Sequence, residues 1–431
     1  MQALLAQRVV RWRLVDNPLR TTRPTRRAPI LAVLGANAVS ETGNVLAFVA
    51  IPWFVLHTPG SAAKTGLTGG AFLLTAVVAG VVGGPVVDRI GFKRASIVAD
   101  LAGAVTVALI PLLYYTIGLA FWQLLVLVFL GGFLDAPGHT ARQSLVPDLA
   151  GRARMRIERA NSAFQGIQHA SFLVGPPLAG VLIALFTPSN VLWIDAATFV
   201  VSAALVAALV PAVAPQPDTV TAELRRAGGY LAELAEGITF IRRDRLVFWM
   251  FGIGVVANFL ILPLFAVVLP VYAKQTYGSA VDLGLMFGGF GSGALAGTVL
   301  YGTVGHLLPR RATLVSAVVL MGLPFWVLVT TPSLVVTMGA RFVAGFALGP
   351  PNPLTYSVLQ ERTPPRMLGR VLGAGVSLSM VAVPIGMVLC GYALEIVGLR
   401  LTLAGISACY LAVGLLSFLS PALHELDKPQ D

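Results

Sequence analysis

The chain has 431 residues, of which 56% are hydrophobic and only 11% are charged. Soluble domains carry roughly 25% charged residues, so this composition excludes an ordinary soluble globule and indicates a protein that crosses a membrane many times. A net charge of +11 also occurs in nucleic-acid-binding proteins, but the positions of the basic residues, described below, exclude that class.

A basic, arginine-rich tail of 28 residues comes first. No small-residue cleavage site follows the next apolar run, so we predict a retained tail rather than a signal peptide. Apolar runs near the roughly 20 residues that span a bilayer then recur along the chain. We predict twelve membrane-spanning helices, at 29–57, 66–87, 95–117, 120–141, 160–187, 189–212, 246–273, 280–304, 311–331, 333–359, 369–395 and 399–420.

Basic residues concentrate in alternate loops between these spans. With the N-terminus inside, nearly all lysines and arginines fall in cytoplasmic segments, and only Lys64, Lys274 and Arg400 fall outside. This asymmetry predicts a multi-pass protein of the cell membrane with both termini in the cytoplasm. It also suits contact with anionic membrane lipid, and it makes nucleic acid an unsuitable partner.

A charged loop follows the second predicted span, where residues 83–96 read GGPVVDRIGFKRAS. Its glycines permit a tight turn and close helix contact, beside an acid and three bases. The pattern resembles the cytoplasmic loop between the second and third helices of the major facilitator superfamily. Together with its surroundings it resembles the drug:proton antiporters of the macrolide-efflux type. The resemblance implies a conformational gate formed by Gly84, Asp88, Arg89, Gly91, Lys93 and Arg94. A plain charged turn between two helices is the alternative.

The chain also repeats itself. The segment IPWFVLHTPGSAAKTGLTGGAF from Ile51 matches LPVYAKQTYGSAVDLGLMFGGF from Leu269, and GGFLDAPGHTARQSLVP matches AGFALGPPNPLTYSVLQ further along. We therefore predict an all-α membrane protein, with twelve transmembrane helices in two six-helix pseudo-symmetric bundles, which is the major facilitator fold. A duplicated half of this kind is typical of transporters whose bundles rock around a binding cavity near the membrane midplane.

Five segments are predicted from this organisation. They are a cytoplasmic N-terminal tail, an N-terminal six-helix bundle, a cytoplasmic central linker, a C-terminal six-helix bundle and a cytoplasmic tail. The linker begins rich in proline and continues as an amphipathic helix that we expect at the membrane interface. The corresponding ranges are 1–28, 29–212, 213–245, 246–420 and 421–431.

The fifth span contains the segment GPPLAG. Proline removes a helix hydrogen bond and small residues permit close contact, so the segment can bend and pack tightly. It resembles the antiporter motif of the superfamily, with Ala179 in place of the penultimate glycine, and implies exchange rather than symport. Because Gly and Pro are frequent in membrane helices, the segment alone is weakly informative. The motif residues are Gly175, Pro176, Pro177 and Gly180.

Acids inside the membrane are the candidates for proton coupling, because burial favours the protonated carboxyl group. Glu41 lies midway along the first span, with Asn37, Asn44 and Phe48 on the same helix face. This polar stripe is predicted to face the cavity. An interhelical hydrogen-bonded cluster of the same side chains is the alternative.

Asp135, in the fourth span, is the second proton-coupling candidate. It serves either as a proton shuttle or as a partner for Arg89 or Arg142 in the gate. Asp100 and Asp195 lie nearer the ends of their spans, where we expect water to reach both.

Arg341 is the one base placed well inside a predicted span. An unpaired arginine there is costly, so we expect it to contact an acid, backbone carbonyls or substrate, with Glu41 a possible partner. Its segment, RFVAG, resembles an arginine motif of the superfamily that is absent here from the fourth span. Amide, aromatic and methionine side chains of later spans suit an adaptable cavity wall, although core packing suits each of them equally. The predicted cavity residues are Asn37, Asn44, Phe48, Asn258, Phe259, Arg341, Asn352, Tyr356 and Met380.

The predicted function is proton-coupled export of amphiphilic small molecules by a monomer, with protons and a small-molecule substrate as partners. Export of one metabolite, such as a siderophore or self-made antibiotic, is an alternative. A transport-inactive receptor or scaffold is an alternative of another class. Because the sequence has neither a phosphate-binding loop nor a His or Cys cluster with metal spacing, we expect no enzymatic activity, no cofactor and no metal site.

Overall fold

The computed structural model describes residues 27–58, 60–211, 229–331 and 333–427, with the side chains at 76, 77, 80–86, 88, 89 and 229–231 left out. The predicted N-terminal tail and the first part of the linker therefore lie outside the described residues. The described chain is α-helical apart from short turns, one π-helical turn and two 3-10 helices, Gly305–Leu307 and Pro421–Asp427. This confirms the predicted all-α membrane architecture.

The helices of the first half follow the predicted spans closely. They are α1 Ala28–His57, α2 Ala62–Ile90, α3 Phe92–Thr116, α4 Phe121–Arg152, α5 Ile157–Leu185 and α6 Pro188–Leu209. The helix α4 is the main departure, since it continues well beyond residue 141, where the predicted span ends. Arg142, predicted in a cytoplasmic loop, lies inside this helix instead.

The second half begins with the linker helix α7. Its helices are α7 Gly229–Arg243, α8 Arg245–Pro263, α9 Leu269–Thr276, α10 Ala280–Val304, α11 Arg310–Val329, α12 Leu334–Leu348, α13 Pro351–Arg362, α14 Pro365–Ile396 and α15 Gly398–Leu419. A π-helical turn, Leu264–Val268, joins α8 to α9 just before Pro270. Proline has no N–H to donate and its ring crowds the carbonyl four residues earlier, which suits this local widening of the helix.

Eleven helical segments of the described chain are long and apolar enough to cross a membrane. The remaining long helix, α2, has 29 residues. At 1.5 Å per residue it is about 44 Å long, more than the roughly 30 Å of bilayer hydrocarbon. Twelve spans follow when α8 and α9 count as one and α12 and α13 as another.

Helices α1 to α6 pack mainly on one another, as do α8 to α15, so the chain forms two bundles. We call the side of the protein that carries α7 the linker face and the opposite side the distal face. The two bundles meet through α5 with α10 and α2 with α14, in the halves of these helices that lie toward the distal face. A Cβ on Gly180 would lie 2.4 Å from the Ala280 carbonyl oxygen, so only glycine permits this α5–α10 contact.

Two contacts at helix ends also join the bundles at the distal face. Lys274 Nζ donates to the carbonyl oxygen of Leu56, near the C-terminus of α1. The Glu395 carboxylate accepts from the Ser61 hydroxyl at 2.7 Å and from the Ala63 N–H at 3.0 Å, at the N-terminus of α2. A cation at a helix C-terminus and an anion at a helix N-terminus are both favourable placements for the helix dipole.

The linker helix α7 packs on the second bundle. Arg370 of α14 pairs with Glu233 at 3.5 Å and also with Glu236. Gly237 faces the Arg370 carbonyl oxygen, which a Cβ there would approach to 2.4 Å. The predicted linker helix therefore has a fixed position along the start of α14.

Candidate functional site

The centre of the first bundle holds a cluster of ionisable side chains from α1 and α4. Glu41, halfway along α1, lies 3.5 Å from His139 Nε2. One turn further along α1, Asn44 donates to Asp135 at 3.1 Å. Glu41 and Asp135, the two predicted proton-coupling acids, are therefore brought into one cluster.

Arg142 is the permanent cation of this cluster and its side chain is fully buried. One guanidinium nitrogen lies 2.5 Å from Asp100 of α3, and the other lies 3.3 Å from the Ser40 hydroxyl and 3.9 Å from Asp135. Ser202 of α6 donates to the second oxygen of Asp100 at 2.7 Å. These groups join four helices.

Two expectations about these residues are wrong. Arg142 was placed in a cytoplasmic loop and Asp100 was expected to meet water, whereas both are fully buried. The physical reason is that each supplies the counter-charge of the other, which offsets part of the cost of burying both charges. Gly138 allows the approach, because a Cβ there would lie 2.9 Å from the Cβ of Ala99 on α3.

The cluster contains three acids and one permanent base. Asp100 holds the short contact with Arg142, so Glu41 and Asp135 are left without a full counter-charge among the described residues. Carboxylates in a low-dielectric interior are stabilised by a proton or by another cation. Glu41 and Asp135 are therefore the two carboxylates of the cluster whose charge a proton or another cation would neutralise.

The polar stripe on α1 has a mixed outcome. Asn44 and Phe48 line a cavity beside the cluster, together with Asp135. Glu41 and Asn37 do not line it, and Asn37 is fully buried with neither amide atom paired among the described residues. The predicted common face thus divides into a cluster side and a cavity side.

Asp195 of α6 lines the same cavity and is only 1% exposed. Its placement corrects the expectation that water reaches it near the end of its span. Other lining residues that the sequence reading missed come from both bundles. They include Thr68, Phe72, Phe199, Ala266 and Met387. The one sequence signal for this part of the cavity was Asp195 itself, an acid within an otherwise apolar span.

Arg341 lies in the second bundle, inside a cage of phenylalanine rings. Its guanidinium carbon is 4.9 Å from the ring centroids of Phe265 and Phe290 and 5.8 Å from that of Phe325. Among the described residues its side-chain nitrogens have no hydrogen-bond partner, and Glu41 is not in contact with it. Aromatic faces attract a cation, so the rings take the place of the acid, carbonyl or substrate contact expected for it.

The remaining predicted cavity residues do not line the cavity that contains Asp135 and Asp195. Phe259 packs beside Gly386, and Asn258 and Met380 are half-buried. Asn352 and Tyr356 of α13 are exposed. For all five, a role in substrate contact stays a prediction.

The predicted gate is only partly described, since the side chains of Asp88 and Arg89 and the surroundings of Gly84 are among those left out. Gly91 separates α2 from α3 with a φ of +85°, a conformation that favours glycine. Lys93 donates to the Ala207 carbonyl at 2.9 Å, at the C-terminal end of α6, and Arg94 is exposed. The described part of the gate therefore ties α3 to α6 within one bundle.

The predicted antiporter motif lies where α5 meets both α1 and the other bundle. A Cβ on Gly175 would approach Val45 of α1 to 2.5 Å, and the Pro176 carbonyl lies 2.7 Å from the Cβ position of Gly284 on α10. Pro177 and Gly180 continue the same contact with α10. The motif thus forms part of the surface on which the bundles touch.

A charge cluster inside the first bundle and a cavity lined by residues of both bundles fit the class of membrane transporters. The model of the Major Facilitator Superfamily matches residues 33–280 and 251–430. The chain belongs to this superfamily, which confirms the resemblance first indicated by the 83–96 loop.

Similar proteins point the same way. The multidrug efflux pump Tap of Mycolicibacterium fortuitum is 32% identical over 94% of this chain and 98% of its own length. Macrolide efflux protein A of Streptococcus pyogenes is 22% identical over 85% of this chain and 90% of its own length. Among solved structures, the nucleoside transporter NupG superposes with a TM-score of 0.72 at 12% identity, covering 93% of this chain and 99% of that one. The structural likeness supports the fold alone.

Proposed function

We propose that this protein exports amphiphilic small molecules across the cell membrane in exchange for protons. Support for export of drug-like molecules comes from the relatives, which are described as a multidrug efflux pump and a macrolide efflux protein. The linker face is cytoplasmic in this proposal, because the basic loops lie on that side. Molecules therefore leave through the distal face.

The carrying observation is the cluster of three acids around one arginine. A carboxylate oxygen of Asp100 lies 2.5 Å from the Arg142 guanidinium, and one of Asp135 lies 3.9 Å from the same group. A proton on Glu41 or Asp135 lowers the cost of holding both acids in the membrane. Arrival of substrate in the adjacent cavity, which Asp135 also lines, then favours release of that proton. Substrate and proton thus compete for the same acid, which couples export of the substrate to entry of the proton.

Alternating access is the second part of the proposal. The bundles touch in their distal halves, through α5 with α10, α2 with α14 and the contacts of Lys274 and Glu395. Export requires these contacts to separate while the linker face closes. The gate residues of the 84–94 loop close the linker face. The antiporter motif forms the surface along which α5 and α10 move against each other.

Transport by the purified protein in proteoliposomes tests the coupling. We expect an imposed pH gradient to drive uptake of a lipophilic dye into vesicles that carry the protein with its linker face outward. Glu41→Gln imitates the permanently protonated acid, so it should retain dye exchange down a concentration gradient and lose accumulation driven by protons. Asp135→Asn should behave similarly.

A matched control is available on the same helix as Asp135. The Asp148 side chain is partly exposed and pairs with Arg152 at 3.6 Å on the helix surface, so Asp148→Asn should transport normally. If Glu41→Gln and Asp135→Asn both pump as well as the control, the intramembrane acids are structural and proton coupling through them is wrong.

Other parts of the sequence reading remain predictions. These are monomeric function, contact of the basic linker face with anionic lipid, and the five-segment division of the chain. Dedicated export of one metabolite is the alternative function, and competition between chemically unrelated amphiphiles for transport separates it from multidrug export. Absence of transport for every amphiphile tested would favour a receptor or scaffold.

A further inference from the structure

Asp195 is a buried acid that the charge cluster does not use. It lies on α6, is 1% exposed, and its Oδ2 has no hydrogen-bond partner among the described residues. Its Oδ1 has only a long contact with the Thr198 hydroxyl, at 3.4 Å. Buried polar groups of structural importance are almost always hydrogen-bonded, so an unpaired carboxylate oxygen that lines a cavity calls for a ligand.

The cavity has the composition of a cation site. Its described lining includes two acids, Asp195 and Asp135, and no lysine, arginine or histidine. Phe48, Phe72 and Phe199 contribute aromatic surface, and most of the other lining groups are apolar. Carboxylates supply the counter-charge, and aromatic rings add attraction for ammonium groups. Two carboxylates and no basic group in the described lining disfavour an anion there.

The size of the cavity suits part of a ligand rather than a whole drug. The cavity volume is about 70 Å³. A single water needs a cavity of roughly 10–15 Å³, so this one holds a small group or a few waters. It suits the charged head of an amphiphile whose apolar remainder lies elsewhere between the bundles.

One wall of the cavity belongs to the other bundle. Ala266, in the π-helical turn, and Met387 of α14 close the cavity against α1, α2, α3, α4 and α6. Met387 Sδ lies 3.2 Å from the Cβ position of Gly69 on α2, at the contact between the bundles. When the bundles separate at the distal face this wall moves away, so the cavity opens toward the side at which export ends.

We propose that this cavity binds the cationic head group of the exported molecule, an organic ammonium, with Asp195 as its counter-ion. The inference rests on the proposed function and specifies the substrate class of that transporter. Asp135 belongs to both the cavity and the charge cluster, since it lines the cavity and also lies beside Arg142. A bound cation there replaces a proton on Asp135, whereas Asp195 serves the substrate alone.

Equilibrium binding to the purified protein at fixed pH, without a gradient, tests this assignment. The probes are rhodamine 6G, a permanent cation, and fluorescein ethyl ester, an anion of the same ring system, each followed by fluorescence polarisation. Asp195→Asn should weaken rhodamine 6G binding by about tenfold or more, which corresponds to the loss of one charge-assisted contact. Asp195→Glu should retain most of the affinity, and Asp148→Asn should retain all of it. Binding of the anion should not weaken in any variant.

A second measurement needs no variant. A hydrophobic carbodiimide modifies carboxyl groups within the membrane, and rhodamine 6G should protect Asp195 of the wild-type protein from it, as read by mass spectrometry of the peptide. This arm decides the question if Asp195→Asn fails to fold.

The outcomes separate the two proposals. Unchanged rhodamine 6G affinity in Asp195→Asn, or no protection of Asp195, overturns the head-group site. Unchanged affinity with loss of gradient-driven transport makes Asp195 a proton carrier instead, which also overturns it. Wild-type protein that exports neutral amphiphiles but binds no cation overturns this inference and leaves the exporter intact. Wild-type protein that exports nothing overturns both.

Discussion

The two bundles derive from one repeated pattern, yet their interiors differ in charge. In the first bundle Glu41 and Asp135 sit beside the Arg142–Asp100 pair. The repeat register places Phe259 at the position of Glu41, Leu348 at that of Asp135 and Thr355 at that of Arg142. The second bundle thus has uncharged residues at the positions that match Glu41, Asp135 and Arg142.

The comparison also runs the other way at one position. Arg341 in the second bundle corresponds to Val128 in the first. Among the described residues, each bundle therefore has one fully buried arginine. The partners differ, because Arg142 contacts an acid and Arg341 contacts three aromatic rings. Among the described residues, the acids of the charge cluster and of the cavity therefore all belong to the first bundle, while the second contributes one wall of the cavity.

The largest effect is expected where the buried ion pair is broken. Arg142→Met leaves Asp100 buried without its cation, and the loss of one partner of such a pair costs about 3–5 kcal/mol. We expect a strong fall in the free energy of unfolding, measured by denaturant titration of the purified protein. The exposed surface pair is the control, since Arg152→Met should change stability by less than about 1 kcal/mol. Equal stability of the two variants would show that Arg142 and Asp100 do not depend on each other.

A smaller effect is expected in the second bundle. Arg341→Met removes a cation that has only ring faces for partners, a contact worth about 2 kcal/mol when desolvated, and it also removes the cost of burying the charge. The two terms oppose each other, so we expect the free energy of unfolding to change by no more than about 2 kcal/mol. A loss as large as that of Arg142→Met would show that Arg341 has a stronger partner and would remove the contrast between the bundles.

The sequence predicted the spans and the family well, because both depend on local patterns. Runs of apolar residues place the helices, and the 83–96 loop carries its own motif. The pair of Asp100 and Arg142 was missed for a physical reason: the residues are 42 positions apart, and each looks like a hydrated end of a span until the other is known to touch it.

The cavity and the aromatic cage depend on contacts that are more distant still. Phe265, Phe290 and Phe325 come from three separate segments, and nothing in the neighbourhood of Arg341 along the chain indicates that they converge. Glu41 and Asp135 were found because an acid in an apolar span is informative by itself. Asp195 carried the same signal, but its position near a helix end suggested water, whereas α1 packs so closely that a Cβ on Gly43 would lie 2.4 Å from its carboxylate.

The smallest effect on stability is expected at the distal face, where the helix-end contacts of Glu395 and Lys274 join the two bundles. Glu395→Gln removes a charge from the N-terminus of α2 but keeps a group that can accept the same hydrogen bonds from Ser61 and Ala63. We therefore expect an unchanged fold and a shift of the population toward states open at the distal face. Lys274→Met should shift it in the same direction, because it removes the cation at the end of α1.

Labelling of an introduced cysteine measures this shift. The cysteine replaces Thr68, a buried residue that lines the cavity, and its rate of reaction is followed with a membrane-impermeant reagent added from the distal side. Faster labelling in both variants, and a further increase in the double variant, would show that the two helix-end contacts hold the bundles closed. Unchanged rates would assign closure to the glycine-lined α5–α10 and α2–α14 surfaces alone.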